Sequence, residues 1–373
     1  MRKIKFYLSL TFLLSFSAPG IFAQNQVLLF SYFTGNGEDG LHLAYSYDGY
    51  NWKALKKGKS FLTPTVGEDK LMRDPCIIVG PEGKFHMVWT ISWKEKGIGY
   101  ASSENLTDWS VQKMIPVMEH EEQARNCWAP EIYYDETERL YMIFWSTTIP
   151  GRFPETDDSG DNGLNHRMYY VTTEDFKDFS ETKLLYDQGF NVIDGTLTKL
   201  DKKYFLFLKD ETRHPPEKNI RIATSSALTE GYGKASSPIT GDYWAEGPSI
   251  VRFENSWWVY FDKYRKNRMG AVISDDLIHW TDISDRISFP KGTRHGTVFQ
   301  DLPRPVKRET IFFGEILAID LGLAVKLPFP DPFLVIEVPH GGNYHEIDAI
   351  GLRCGIHFFK CLISLSPHIN TGF

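Results

Sequence analysis

Tyr243-Trp244-Ala245-Glu246-Gly247-Pro248-Ser249-Ile250 sets a glutamate in an apolar, tightly turned context at the start of a strand-like run. Three similar openings precede it: Arg73-Asp74-Pro75-Cys76-Ile77, Trp128-Ala129-Pro130-Glu131-Ile132 and Val192-Ile193-Asp194-Gly195-Thr196-Leu197. A fifth, His295-Gly296-Thr297-Val298-Phe299, comes after it. Four carry a carboxylate, one a histidine, and each leads into β-formers. Five equivalent openings predict that Asp74, Glu131, Asp194, Glu246 and His295 converge on one place.

The pattern downstream of each opening also recurs, the mark of a repeat architecture. After Asp74 come the apolar runs 84–90 and 97–101, then the polar turn and aromatic of 103–109. After Glu131 come 139–145, 166–171 and 173–179; after Asp194, 203–209, 219–223 and 225–232; after Glu246, 256–261, 268–272 and 274–280. Each unit therefore predicts four short strands. The unit opened by His295 lacks its second and third strands, and they stand at the other end of the mature chain, in 27–32 and 41–45, with the turn and aromatic at 46–52. A last unit split between the termini closes a ring and removes the sheet edges that a linear array exposes. The expectation is an all-β five-bladed β-propeller whose last blade is completed by N-terminal strands. A β-sandwich would not require five similar turns.

The first residues predict an export signal. Arg2, Lys3 and Lys5 precede an apolar run from Phe6 to Phe16, and small residues lead to cleavage after Ala23. That run is shorter than the roughly 20 residues of a membrane span. The expected organisation is a signal peptide at 1–23, a propeller at 24–302 and a tail of unassigned role at 303–373, in a secreted or periplasmic protein. A net charge of −7 gives no nucleic-acid footprint. Aromatic residues at 14% suit both β-structure and sugar stacking. Four cysteines form neither a disulfide framework nor a zinc pattern. Cys76 and Cys127 sit at two openings, either as a bridge or as two buried thiols.

Carboxylates gathered at a channel and held in different environments supply an acid and a base for glycoside cleavage. The ordered set Arg-Asp-Pro, Trp-Ala-Pro-Glu, Ile-Asp, Glu-Gly-Pro and His-Gly-Thr resembles glycoside hydrolase family 43, the propellers of the arabinosidase and xylosidase group, over residues 26–300. The resemblance implies that Asp74 is a general base activating water, Glu246 the general acid, and Asp194 the residue that holds and tunes that acid. It implies inversion at the anomeric carbon, with about 6.5–9.5 Å between base and acid carboxyls. His295 matches the family's channel histidine, beside which a structural calcium ion is conceivable although no metal or other cofactor is required. Arg294 is expected to meet a sugar hydroxyl or the acid. Arg73 departs from the pattern, standing where a small residue often precedes the base, and is expected to bind substrate at an entrance shaped differently there. Arg-Asp-Pro also occurs in fructan-cleaving propellers, but the upstream Asn-Asp-Pro nucleophile of that group is absent here.

Glu131 is expected in the substrate pocket or in a structural role, and Trp89, Trp93 and Trp128 are candidates for stacking on sugar or for core packing. Lys209-Asp210-Glu211 is expected at the pocket rim or in a solvated turn. The long loop 149–165 is expected to cap the pocket and favour removal of terminal sugars. The functional expectation is release of α-L-arabinofuranose or β-D-xylose from plant polysaccharide. Endo-arabinanase or galactosidase action on the same frame is a second reading, and a non-catalytic carbohydrate-binding propeller a third.

Overall fold

A computed structural model describes residues 27–300, together with 324–326 and 335–337. The signal segment 1–23 and the other tail residues, with Cys354 and Cys361, lie outside the described residues.

The strands are β1 (Leu28–Tyr32), β2 (His42–Ser46), β3 (Lys53–Ala54), β4 (Arg73–Val79), β5 (Phe85–Thr90), β6 (Ile98–Ser103) and β7 (Lys113–Ile115). They continue with β8 (Trp128–Asp135), β9 (Leu140–Thr148), β10 (His166–Thr173), β11 (Lys183–Tyr186), β12 (Val192–Leu200), β13 (Lys203–Asp210) and β14 (Asn219–Ser225). The ring is completed by β15 (Glu246–Phe253), β16 (Ser256–Lys263), β17 (Arg268–Ser274), β18 (Thr281–Asp282) and β19 (Thr297–Gln300). They form five antiparallel blades: β4-β5-β6-β7, β8-β9-β10-β11, β12-β13-β14, β15-β16-β17-β18 and β19-β1-β2-β3. The inner strands pack in a ring, β4 on β8, β8 on β12, β12 on β15, β15 on β19 and β19 on β4. The closing blade joins the two ends of the ring, with Thr297 opposite Ser31 and Phe299 opposite Leu29. The chain is a five-bladed β-propeller. In the tail, Ala324–Lys326 pairs with Val335–Glu337.

The polar turn of each repeat has a physical basis. Ser46, Ser103, Thr173 and Ser274 accept, through their hydroxyls, the N–H of the residue three positions on, at 2.9–3.0 Å. Asp48, Asn105, Asp175 and Asp276 accept further N–H groups of the same turn. The residue between is left-handed: Gly49, Leu106, Phe176 and Leu277 have φ of +72°, +65°, +58° and +61°. Side chains that bond their own backbone in this way select turns over continued strand.

The third blade departs from the four-strand expectation. Ala227 stands where the other turns have Asp or Asn, and among the described residues no fourth strand forms beside β14. The chain instead sends Gly233, Ser236 and Ile239 N–H groups to the carbonyls of Thr224, Ile222 and Ile220. The Ser236 and Thr240 hydroxyls accept from Ile222 and Ile220 N–H. Side chains thus complete an edge that Pro238 could not.

The core is divided among the blade interfaces, one apolar cluster to each. Trp89, fully buried, belongs to the cluster between the closing and first blades, where its ring occupies the space a Cβ on Gly99 would need, 2.1 Å away. The stacking role considered for Trp89 is therefore corrected: it faces the core because alternation along β5 sends Thr90, the next residue, to the channel. Cys76 and Cys127 are buried and unbonded.

Candidate active site

Strand register explains how the openings build a site. In four blades the inner strand begins with a paired residue, slips by a bulge and resumes its ladder. Arg73, Trp128, Ile193 and Glu246 pair with Thr90, Ser146, Lys209 and Asp262 before the slip. Next comes a left-handed residue, Asp74 (φ +51°), Ala129 (+47°), Asp194 (+50°) or Gly247 (+60°). In the closing blade the Arg294 N–H donates to Phe33 O at 3.1 Å, so Arg294 takes the paired position and His295 the bulge position.

This register corrects the assumption that the five openings place equivalent residues. Asp74, Asp194 and His295 share the bulge position. Glu246 stands one residue earlier, at the level of Arg73, Trp128 and Arg294. Glu131 stands two residues later, with Cys76, Thr196, Ser249 and Thr297. The earlier level is the open one: the Glu246 and Arg294 side chains are 18% and 28% exposed, whereas the later level is buried. Glu131 is therefore in the channel beneath the site. Its carboxyl accepts from Thr297 Oγ1 at 2.8 Å and Thr196 Oγ1 at 3.3 Å, tying three blades together, and burial pushes it up to about 7 against those bonds.

His295 is the centre of the bulge level. Its Nδ1 lies 3.2 Å from Asp74 Oδ1, and its ring covers Gly247, where a Cβ would lie 2.3 Å away. Burial opposes its charge, but Asp74, Asp194 and Glu246 raise it to about 9. Burial would likewise lift Asp74. The His295 charge and hydrogen bond, with Arg73 and the Thr90 hydroxyl at 2.9 Å, outweigh it and hold that carboxyl at about 2. Asp194 goes the other way, pushed up to about 6 by burial and by its like-charged neighbours Glu246 and Asp74, while His295 and Lys209 pull against the rise. Its Oδ2 accepts the Gly247 N–H at 3.1 Å. Two carboxyls in one pocket are thus driven apart by their surroundings, one fixed as the anion and one able to keep a proton into the weakly acid range.

Glu246 lies between two cations, Lys209 Nζ on one oxygen and Arg294 Nη2 on the other, each at 3.1 Å. Arg294 also donates from Nε to Asp262 at 2.6 Å, and Lys209 is 2.6 Å from Glu211. Lys209 does reach the pocket. Asp262 and Thr90 escaped the motif pattern, although a signal existed: once Arg73 and Glu246 are aligned, their partners on the second strand face the same channel. His166 escaped it too, a buried ring beside Trp128 that burial pushes down to about 4 while Glu211 and Asn191 pull against the fall.

The loop 149–165 forms two 3₁₀ turns and docks on the third blade. Asp161 meets Lys218 at 3.0 Å and Arg213 at 3.2 Å, and Lys218 also pairs with Glu211. Trp128 is half-buried at the open level and lies edge-to-face with the exposed Trp93 at 5.4 Å. No group of three or more His, Cys, Asp and Glu side chains gathers as metal ligands among the described residues. No helix among those residues is long and apolar enough to cross a membrane.

The chain is similar to several known proteins. A curated α-L-arabinofuranosidase of Bifidobacterium longum subsp. longum is 25% identical over 184 residues, covering 44% of this chain and only 17% of that protein. Among solved structures, a family GH43 β-1,3-galactosidase shares the fold with a TM-score of 0.50 and 14% identity, over 74% of this chain and 58% of the other. An α-L-arabinofuranosidase from Lactobacillus brevis matches with a TM-score of 0.43 and 18% identity, over 57% and 72%. The family model described as "Probable glycosyl hydrolase domain" matches residues 24–301, so the chain belongs to the glycosyl hydrolases related to glycoside hydrolase family 43.

Proposed function

We propose that this glycoside hydrolase is an exported, inverting enzyme that releases a terminal pentose, α-L-arabinofuranose or β-D-xylose, from plant polysaccharide. The observation that carries the reading is the grouping of Asp74, Asp194 and Glu246 about His295, with Asp74 and Asp194 driven to opposite protonation behaviour. Asp74, held ionised, takes the proton from the attacking water. Glu246, at the open level, delivers a proton to the leaving oxygen, with Lys209 and Arg294 fixing its orientation. Asp194 sits behind it and sets the charge that Glu246 feels. His295 positions Asp74 and balances the carboxylates. The loop 149–165, held on the third blade by Asp161, is read as a cap that favours a chain end over an internal linkage.

The test is hydrolysis by the mature chain of nitrophenyl arabinofuranoside, xyloside, galactoside and a fructan control. Release from one pentoside, lost in Glu246→Gln, supports the proposal. Release from the galactoside alone moves the specificity, and release from none that depends on Glu246 removes the catalytic assignment.

A further inference from the structure

Arg73 belongs to the open level of the channel, at the register position that Glu246, Trp128 and Arg294 occupy in other blades. Its guanidinium lies between two rings, 4.7 Å from the Phe33 centroid and 4.3 Å from Trp93, so its plane is fixed. Nη1 donates to Asn36 Oδ1 at 3.1 Å, with a longer contact to the Asn36 carbonyl. Among the described residues no carboxylate comes within ion-pair reach of it.

Five other cations around this pocket are paired with carboxylates. Arg294 has Asp262 at 2.6 Å, Lys209 has Glu211 at 2.6 Å, Lys218 has Asp161 at 3.0 Å, Arg213 has Asp161 at 3.2 Å and His295 has Asp74 at 3.2 Å. Arg73 is not so paired: it is half-buried and planar, with donors left over beside the proposed base. A desolvated, immobilised guanidinium is suited to a planar or bidentate oxyanion. Neutral hydroxyls do not need such a group, and the Asp74 charge that Arg73 helps to stabilise makes no direct ion pair with it, so its remaining donors stay available.

We propose that the pocket accepts, beside the released pentose, a sugar unit bearing an oxyanion, a uronate carboxylate or a sulfate ester, and that Arg73 binds that group while Trp93 holds the guanidinium in plane. This rests on the carbohydrate reading above and adds to it the chemical class of the neighbouring sugar unit. Arg73 also offsets the repulsion that Asp74 would exert on an anionic sugar.

The experiment measures binding of methyl β-D-glucuronoside, D-glucose 6-sulfate and methyl β-D-glucoside to the mature chain by titration calorimetry. The same titrations are run on Arg73→Gln and Arg73→Lys, each with its thermal midpoint recorded. The expected result is binding of one anionic probe about tenfold or more tighter than the neutral glucoside, weakened by salt. Arg73→Gln should reduce that probe to the level of the glucoside, and Arg73→Lys should restore only part of the difference. Whichever anionic probe wins identifies carboxylate or sulfate. Equal binding of all three, binding of none, or discrimination that survives in Arg73→Gln overturns the proposal. If Arg73→Gln is unfolded, Arg73→Lys and the salt dependence of the unsubstituted chain decide. Glu246-dependent cleavage of neutral pentosides without anion preference would remove this inference and leave the glycosidase reading intact. Arg73-dependent anion binding by a chain that cleaves nothing would do the reverse.

Discussion

At the residue scale the site is governed by charge placement. Glu246→Gln keeps the size of the side chain but cannot pass a proton to the leaving oxygen, so hydrolysis should fall by about 10²–10⁴-fold, with the circular dichroism spectrum unchanged. Asp74→Asn should fall by a similar factor, since an amide cannot take the water's proton. The His295 shift makes a prediction about stability. Its folded value of about 9 is above the ordinary 6.5, so the stability from its charge is complete below pH 6.5 and is lost as pH rises through 9. The depressed Asp74 supplies the acid side, where stability present above 3.8 is lost as pH falls through about 2. The gap in thermal midpoint between the unsubstituted chain and His295→Gln should therefore narrow from pH 6 to pH 10. A constant gap would show that the ring acts by packing alone. Gly247 carries two constraints, a φ of +60° and the His295 ring where a Cβ would go. Gly247→Ala should displace His295 and lose activity along with stability.

Bulges and turns decide matters at the element scale. The left-handed residue at each bulge rotates the next side chains, so residues one or two positions apart face the open mouth, the catalytic level or the channel beneath. This is why Glu131 and Glu246, so alike in sequence setting, end at opposite levels. The repeat turns place their stability in Asx side chains: Asp276 accepts N–H groups from Ile278 and His279, both at 2.8 Å. Asp276→Ala should destabilise the fourth blade by about 1 kcal/mol, measured by denaturant melts. Cross-strand packing inside a blade is tighter, as where Gly99 faces Trp89 across the first blade. Gly99→Ala drives a methyl into the Trp89 ring and should cost about 1–3 kcal/mol, whereas the same change at Gly58, with open space around it, should not act through packing.

On the scale of the whole molecule, ring closure is the main device. β1 supplies both neighbours of the closing blade, bonding β19 on one side and β2 on the other. Removing residues 24–33 should leave two bare strand edges and give an aggregating product, detected by size-exclusion chromatography. The buried thiols report the same cooperativity. Burial raises both Cys76 and Cys127, which keeps them as unreactive thiols, and they lie in the one cluster between the first and second blades. Both should become labelled together at the global unfolding transition rather than one by one.

Blade number, the split last blade and the residues Asp74, Asp194, Glu246 and His295 were legible in the chain itself, because a repeat writes the same turn chemistry each time it folds. Local rules suffice there: an Asx side chain closes its own turn, and period-2 alternation marks each strand. The missing fourth strand of the third blade was legible only in retrospect, through Ala227. Tertiary structure alone decided the levels of the site, because a one-residue bulge changes which face a side chain takes without changing the composition around it. It alone placed Trp89 in the core, paired Lys209 and Asp262 with the site from the second strands, and left Arg73 unpaired. Those are relations between blades, set by which strand ends meet across the channel, and no single stretch of the chain records them.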